Sequence, residues 1–337
     1  MSAPPNLPGS APTLVTAFAG GGGVETGAAI AGIRPIASVE FDPHNPNLSK
    51  ALADSNERNF RRYGHEVIRR SIQDCAGDLP PAEIFHASPV CTNFSVANPN
   101  RGEIELDREM AAATCAAINA VQPSIVTIEN VPAYRNSKSW KSIRDWLWGN
   151  GYWLSEVVLN SADFGVPQKR LRFFAIGVRN SLVPDKIVPT GSSVSWWAAI
   201  ADICDTLPVV PDNDILPVER AAVGDRSDFP LLVERKGYSN GTPRVLTADR
   251  PMWTIVRSIA TEGGDAKDSL VIRSKFIDII GPDGAWRRAD GRCLKRWGSF
   301  PDWYEMPKSI AAIGSIVGYS VPPLMYANAI GQILTIT

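Results

Sequence analysis

Short apolar runs alternate with longer amphipathic ones along the first half of the chain. TLVTAFA (13 to 19), IASVE (36 to 40), AEIFHA (82 to 87) and SIVTIE (124 to 129) predict strands. Between and after them, ETGAAIAG (25 to 32), NPNLSKALADSNERNF (45 to 60), DREMAAATCAAINAV (107 to 121) and SWKSIRDWLWGN (139 to 150) predict helices. Strand and helix in alternation, with no hairpin signal, imply an α/β fold on a parallel, doubly wound sheet. YWLSEVVL (152 to 159) and RFFAIGV (172 to 178) follow as two strands separated by a loop, so the last edge is expected to pair antiparallel. From about Pro189 the pattern decays among Pro, Gly, Asp and Trp, which reads as a smaller irregular domain. PPLMYANAIGQIL (322 to 334) then restores order as a closing helix.

Composition narrows the setting. At 337 residues and 44% hydrophobic, the chain can bury a full core. Five cysteines, Cys75, Cys91, Cys115, Cys204 and Cys293, with no CxxC pair, suggest free thiols in a reducing cytoplasm and neither a disulfide framework nor a metal site. The opening MSAPPNLPGSAPT has no basic or apolar targeting region and is expected to be a flexible leader over residues 1 to 12. No later run is expected to span a membrane. A net charge of −1 argues against coating nucleic acid through bulk positive charge. Locally, QKRLRFFAIGVR (168 to 179) has four basic residues and no acid, and RRADGRCLKR (287 to 296) has five against one Asp. Such patches suit phosphates, and equally a solvated surface.

The candidate chemistry gathers at strand ends. In AFAGGGGVETGAAIAG a strand runs into Gly20 to Gly23 and then a helix, a turn that lets backbone N–H groups approach a nucleotide-like cofactor. Glu40 ends the next strand, where a carboxylate can take ribose hydroxyls. Asp74 suits an adenine amino group if it ends a third strand, and is otherwise a loop acid. Cys91 follows the AEIFHA strand, where ligands of open parallel sheets bind, and Glu129 ends the next one in IENVP. A thiol, a carboxylate and an adenosine-type cofactor together suit alkylation of carbon 5 of a pyrimidine. That carbon becomes nucleophilic once a thiolate adds at carbon 6, with N3 held by a protonated carboxyl.

With these residues placed, the chain resembles the DNA cytosine-5 methyltransferases, which use S-adenosyl-L-methionine. The similarity runs in family order through FAGGGG, Glu40, Asp74, SPVCTNFS, ENV, QKRLR, RCLKRWGSFPDWY and VGYSVPP. It implies a Rossmann-like methyltransferase domain over residues 12 to 190 plus 306 to 337, and a target-recognition domain over 191 to 305. It implies a cofactor pocket shaped by Phe18, Gly20, Gly22, Phe41 and Pro89, with Glu40 on the ribose, Asp74 on the adenine, and Ser320 and Val321 closing the site. Cys91 would be the nucleophile, Glu129 the group on N3, and Asn130 a support for the thiol loop. Arg170 and Arg172 would reach the flipped base and its phosphate, and Gln168 would help set that segment. The partner implied is double-stranded DNA, bound by a monomer without a metal.

Several positions depart from the family pattern. Val90 stands where a second proline is usual, Thr92 and Asn93 replace a Gln and a small residue, Tyr319 replaces an Asn, and Cys293 replaces a Glu. These departures keep open a different group placed on carbon 5 and a non-catalytic relative, and a transfer RNA substrate stays open because it would share the thiol and carboxylate chemistry. SVANPNRGEIE, after the thiol, suits a loop closing over DNA or an ordinary connection. Only about 35 residues lie between DTLP and RVLT to read base edges, with ERKGYSNGTPR (234 to 244) the candidate for the major groove.

Overall fold

The computed structural model describes residues 3–90, 93–94, 102–181, 183–184, 186–191, 193–234, 242–256 and 277–335. Seven strands, β1 (Thr13–Ala17), β2 (Arg34–Val39), β3 (Glu66–Ile68), β4 (Ile84–Ala87), β5 (Ile125–Asn130), β6 (Tyr152–Asn160) and β7 (Leu171–Arg179), form one sheet in the order β3-β2-β1-β4-β5-β7-β6. The first five are parallel, and β7 runs antiparallel between β5 and β6. Every residue of β4 and β5 is buried, as central parallel strands covered on both faces require.

Alternate residues of the strands face two cores. Val15, Phe85 and Val126 point into one, filled by α4 (Glu105–Val121) and α5 (Lys138–Gly149). Leu14, Ile84 and Ile125 point into the other, filled by α1 (Gly23–Ile30) and the closing helix, Pro323–Leu334. Helix ends are fixed locally: Pro46 opens α2 (Pro46–Phe60) at a position where its missing N–H costs nothing, and Ser137 caps α5 by accepting from Trp140 N.

The region expected to be irregular contains a second sheet. β8 (Leu231–Glu234), β9 (Arg244–Thr247), β10 (Ile277–Ile280) and β11 (Trp286–Arg288) pair antiparallel in the order β11-β10-β8-β9. Its strands are three or four residues long, and all of β8 and β10 is buried, so no period of two marks them in the sequence. This sheet shares a core with the first domain: Leu52 and Phe60 of α2 pack in one cluster with Trp196, Leu232, Trp297 and Ile316. The expected divisions at 190/191 and 305/306 therefore do not divide the core.

Two other expectations are corrected. The leader is fastened: Tyr63 donates to Pro5 O at 2.8 Å and Leu7 packs on the shared core. The stretch Ile310–Leu334 does have the length and hydropathy (1.4) of a membrane span. It is broken at Ser320–Pro322 into two helices, Ile310–Tyr319 and Pro323–Leu334, and 61% of its most apolar window is buried against the protein.

Candidate active site

The carboxyl ends of β1, β2, β4 and β5 form one rim. Leaving β1, the chain places Phe18 (φ 59°), Gly20 (φ 55°) and Gly22 (φ 85°) in the left-handed region. For Phe18, which has a Cβ, that conformation costs about 1–2 kcal/mol. The loop is sealed beneath and open above. A Cβ on Gly21 would lie 2.6 Å from Ile316, and one on Gly23 would lie 2.6 Å from Val321 O and 2.7 Å from Ser320 Cβ, whereas one on Gly20 would meet nothing within 4 Å. Ser320 and Val321 are thus brought against the glycine loop.

Glu40 follows β2 and is only 8% exposed. Its carboxylate accepts from Gly20 N at 2.8 Å and from Ser49 Oγ at 3.0 Å, and burial pushes its pKa up against those bonds. Phe41 beside it is 49% exposed. Asp74 does not end the third strand. It lies beyond β3 in a short helix, α3 (Ile72–Cys75), with an exposed side chain, because Ser71 caps a helical turn there by accepting from Gln73 N.

At the other end of the rim, Cys91 lies outside the described residues, as do 95–101 of the following loop and 235–241 of the candidate major-groove segment. The backbone leading to the thiol is held by Asn130, whose Nδ2 donates to the carbonyl of buried Pro89 at 2.9 Å. The backbone leaving it is held by Asn93, which donates to both oxygens of Asp107 at 3.1 and 3.2 Å, and by Phe94, edge-on to Tyr134 at 5.1 Å. Glu129, 5% exposed at the end of β5, receives Arg172 Nε of β7 at 2.8 Å.

Arg170 is placed otherwise than expected. Its side chain is 2% exposed and donates to Ile255 O at 3.3 Å and Gly318 O at 2.8 Å, so this guanidinium ties backbone from two later segments to the main sheet. Gln168 works beside it, accepting from Ile255 N at 2.9 Å and donating to Trp297 O at 3.3 Å. The arginines of the second basic segment pair with acids of the protein. Arg292 pairs with Asp290, Arg296 with Asp202 at 2.5 Å, and Arg287 with Asp283 at 2.7 Å.

Residues without a sequence signal also shape the site. Tyr304, fully buried, donates to Gly21 O and shares a hydrogen bond with Ser55 Oγ at 3.1 Å. Glu25, in the first turn of α1, is wholly buried, and burial pushes its carboxyl up to about 7. Glu25 lies in a stretch that reads as helix and Tyr304 ends RCLKRWGSFPDWY, and the burial of both is a property of the assembled fold.

A doubly wound sheet with a glycine loop and buried carboxylates along the carboxyl ends of its strands is an architecture that binds its ligands at that rim. The family model for C-5 cytosine-specific DNA methylase matches residues 13–335, and the chain belongs to that family. The Type II methyltransferase M.HaeII of Haemophilus aegyptius is 25% identical over 319 residues, covering 90% of this chain and 87% of that protein. The Type II methyltransferase M.AplI of Arthrospira platensis is 24% identical, covering 95% and 84%. The fold is shared with the S. pombe Dnmt2 methyltransferase (TM-score 0.63, 16% identity, covering 96% of this chain and 98% of that one). It is also shared with the Entamoeba histolytica methyltransferase EhMeth (TM-score 0.62, 14% identity, covering 97% and 98%).

Proposed function

We propose that this DNA cytosine-5 methyltransferase flips a cytosine out of the duplex and modifies carbon 5 by covalent catalysis through Cys91, with S-adenosylmethionine as donor. The observation that carries this reading is the Glu129 and Arg172 pair, 2.8 Å apart at the end of the strand whose Asn130 holds Pro89, two residues before Cys91 in the sequence. In this reading Cys91 adds to carbon 6 and the 5,6 double bond shifts to an enamine with carbon 5 as its nucleophilic end. Once carbon 5 is alkylated, it loses its proton to a base as the carbon 6–sulfur bond breaks, which restores the 5,6 double bond and frees the thiol. The Glu129 carboxyl meets N3 and the exocyclic amine, which accommodates the charge that the addition creates. Arg172 orients Glu129 and faces the base, and Asn130 keeps Pro89, and with it the thiol turn, against the sheet. Burial supports the choice of thiol: it pushes Cys115 and Cys293 up to about 12 and raises Cys75 and Cys204, so those four stay protonated.

The glycine loop fits an adenosyl group. The open face at Gly20, the carboxylate of Glu40 for ribose hydroxyls and the exposed Phe41 ring for stacking match its parts. Phe18, Gly22 and Pro89 would line that site, Ser320 and Val321 would close it, and Asp74 would reach the adenine amine from α3. Bound there, S-adenosylmethionine supplies a methyl group on a positively charged sulfur. The target base leaves the stack at a cost of a few kcal/mol. A cytoplasmic monomer on duplex DNA is the setting this reading implies.

Nucleoside mass spectrometry of DNA from a methylation-free host expressing the protein tests it. 5-Methylcytosine is expected with the native chain and is expected to vanish with Cys91→Ala. Methylation that persists in that variant would remove Cys91 from the mechanism.

A further inference from the structure

Four strands carry a polar residue two positions before the residue each gives to the rim: Thr16 before Phe18, Ser38 before Glu40, His86 before Ser88, and Thr127 before Glu129. Two residues along a strand is one step on the same face. Pairing aligns the four in a row, with Thr16 opposite both Ser38 and His86, and His86 opposite Thr127. All four are buried, Thr127 most exposed at 2%. A polar row through the middle of a sheet opposes folding unless it is hydrogen-bonded.

His86 supplies that bonding on the catalytic side. Its Nδ1 lies 2.8 Å from Thr127 Oγ1 and its Nε2 lies 2.8 Å from Ser88 Oγ. Thr127 Oγ1 is 3.3 Å from the hydroxyl of Tyr326 on the closing helix, and the Tyr326 ring meets the imidazole edge-on at 5.3 Å. Burial pushes the imidazole down to about 3, so it is neutral at working pH with one N–H and one lone pair. Both partners are hydroxyls, able to give or accept a proton in the bond.

We infer that His86 is a positioning residue for methyl transfer, fastening Ser88 at the start of the thiol turn to Thr127, one step below Glu129. The inference rests on the roles proposed above for Cys91 and Glu129. The bond from Asn130 to Pro89 O holds the turn at one point, and the Ser88 bond holds it at a second, which removes rotation about the first. Nucleophile and carboxyl come from neighbouring strands, so their separation depends on how those two strand ends are joined. A misplacement of about 1 Å at reacting atoms costs on the order of a hundredfold in rate.

The test measures kcat and the donor KM on cytosine-unmethylated genomic DNA, beside the urea midpoint of each full-length variant. Ser88→Ala and Thr127→Val each delete one hydroxyl from the chain of bonds. Each is expected to lower kcat about tenfold while the donor KM stays within about twofold and most of the stability remains. A Gln amide reaches the Nε2 position and an Asn amide the Nδ1 position, so His86→Gln is expected to keep more of kcat than His86→Asn. Wild-type kcat in both Ser88→Ala and Thr127→Val, or losses that merely follow the fraction folded, would make the imidazole a packing group and overturn the inference. Cys91→Ser runs alongside: its complete loss of transfer sustains the underlying reading, whereas transfer by that variant removes it independently of the His86 series.

Discussion

Burial of ionisable side chains gives single residues a readable effect on stability. Glu25 titrates at about 7 in the fold, against 4.5 for the ordinary side chain. Between those values the folded state keeps a proton that the unfolded state has released. Its stabilising contribution is therefore complete below the lower value and is lost as pH rises through about 7. His65 and His86, pushed down to about 4 and about 3 from 6.5, work in the opposite sense: their contribution is present above 6.5 and is lost as pH falls towards the folded values. Glu25→Gln mimics the protonated carboxyl, so its urea stability should gain on the native chain by about 2–3 kcal/mol between about pH 5 and pH 8. A gain independent of pH would mean that the carboxyl is ionised in the fold. Nothing in GGVETG distinguishes this Glu from an exposed residue in the first turn of a helix, where acids are common. Its neighbours Asn56, on α2, and Glu40 arrive from other elements, which is why sequence gave it no role.

At the scale of elements, the glycine loop and the helix behind it separate folding from binding. Gly23→Ala drives a Cβ onto the backbone oxygen of Val321, which cannot retreat as a flexible side chain would. It should lower thermal stability and donor affinity together. Gly20→Ala has open space but a left-handed φ, so it should lose only about 1–2 kcal/mol of stability. Its methyl would occupy the open face proposed for the adenosyl group, and donor affinity measured by calorimetry should fall by more than that stability loss explains. Unchanged donor affinity in Gly20→Ala would move the cofactor away from this face. The strand and helix alternation that builds this region was legible because each element has a length and period of its own. The second sheet was not: its strands are short, its two central ones are wholly buried, and partners can lie far apart in sequence, as when Ile277 of β10 pairs with Glu234 of β8. The candidate site divides the same way. Glu129 and Arg172 pair with each other, while Arg170 carries the same charge in the same motif yet serves the backbone of Ile255 and Gly318. Which of two alternate arginines turns inward depends on what covers the strand end, and that cover comes from residues 85 and 148 positions later.

For the whole molecule, the shared core makes one cooperative unit out of two regions. Trp196, Trp297 and Ile316 pack with Leu52 and Phe60 of α2, and Arg170 and Gln168 bolt the later segments to the main sheet. Heating the full chain in a calorimeter should give a single transition with a ratio of calorimetric to van't Hoff enthalpy near about one. Two resolved transitions would show that the regions unfold separately. The same closure bears on synthesis. Helix α1 is translated early, yet the backbone of Gly27 rests against Pro323 O, where a Cβ would lie at 2.5 Å, and Tyr326 reaches the strand that carries Glu129. The first helix of the rim therefore finds its seat only after the Pro323–Leu334 helix has left the ribosome. A chain truncated before Pro323 would lack that seat, and it is expected to show no methyl transfer to DNA.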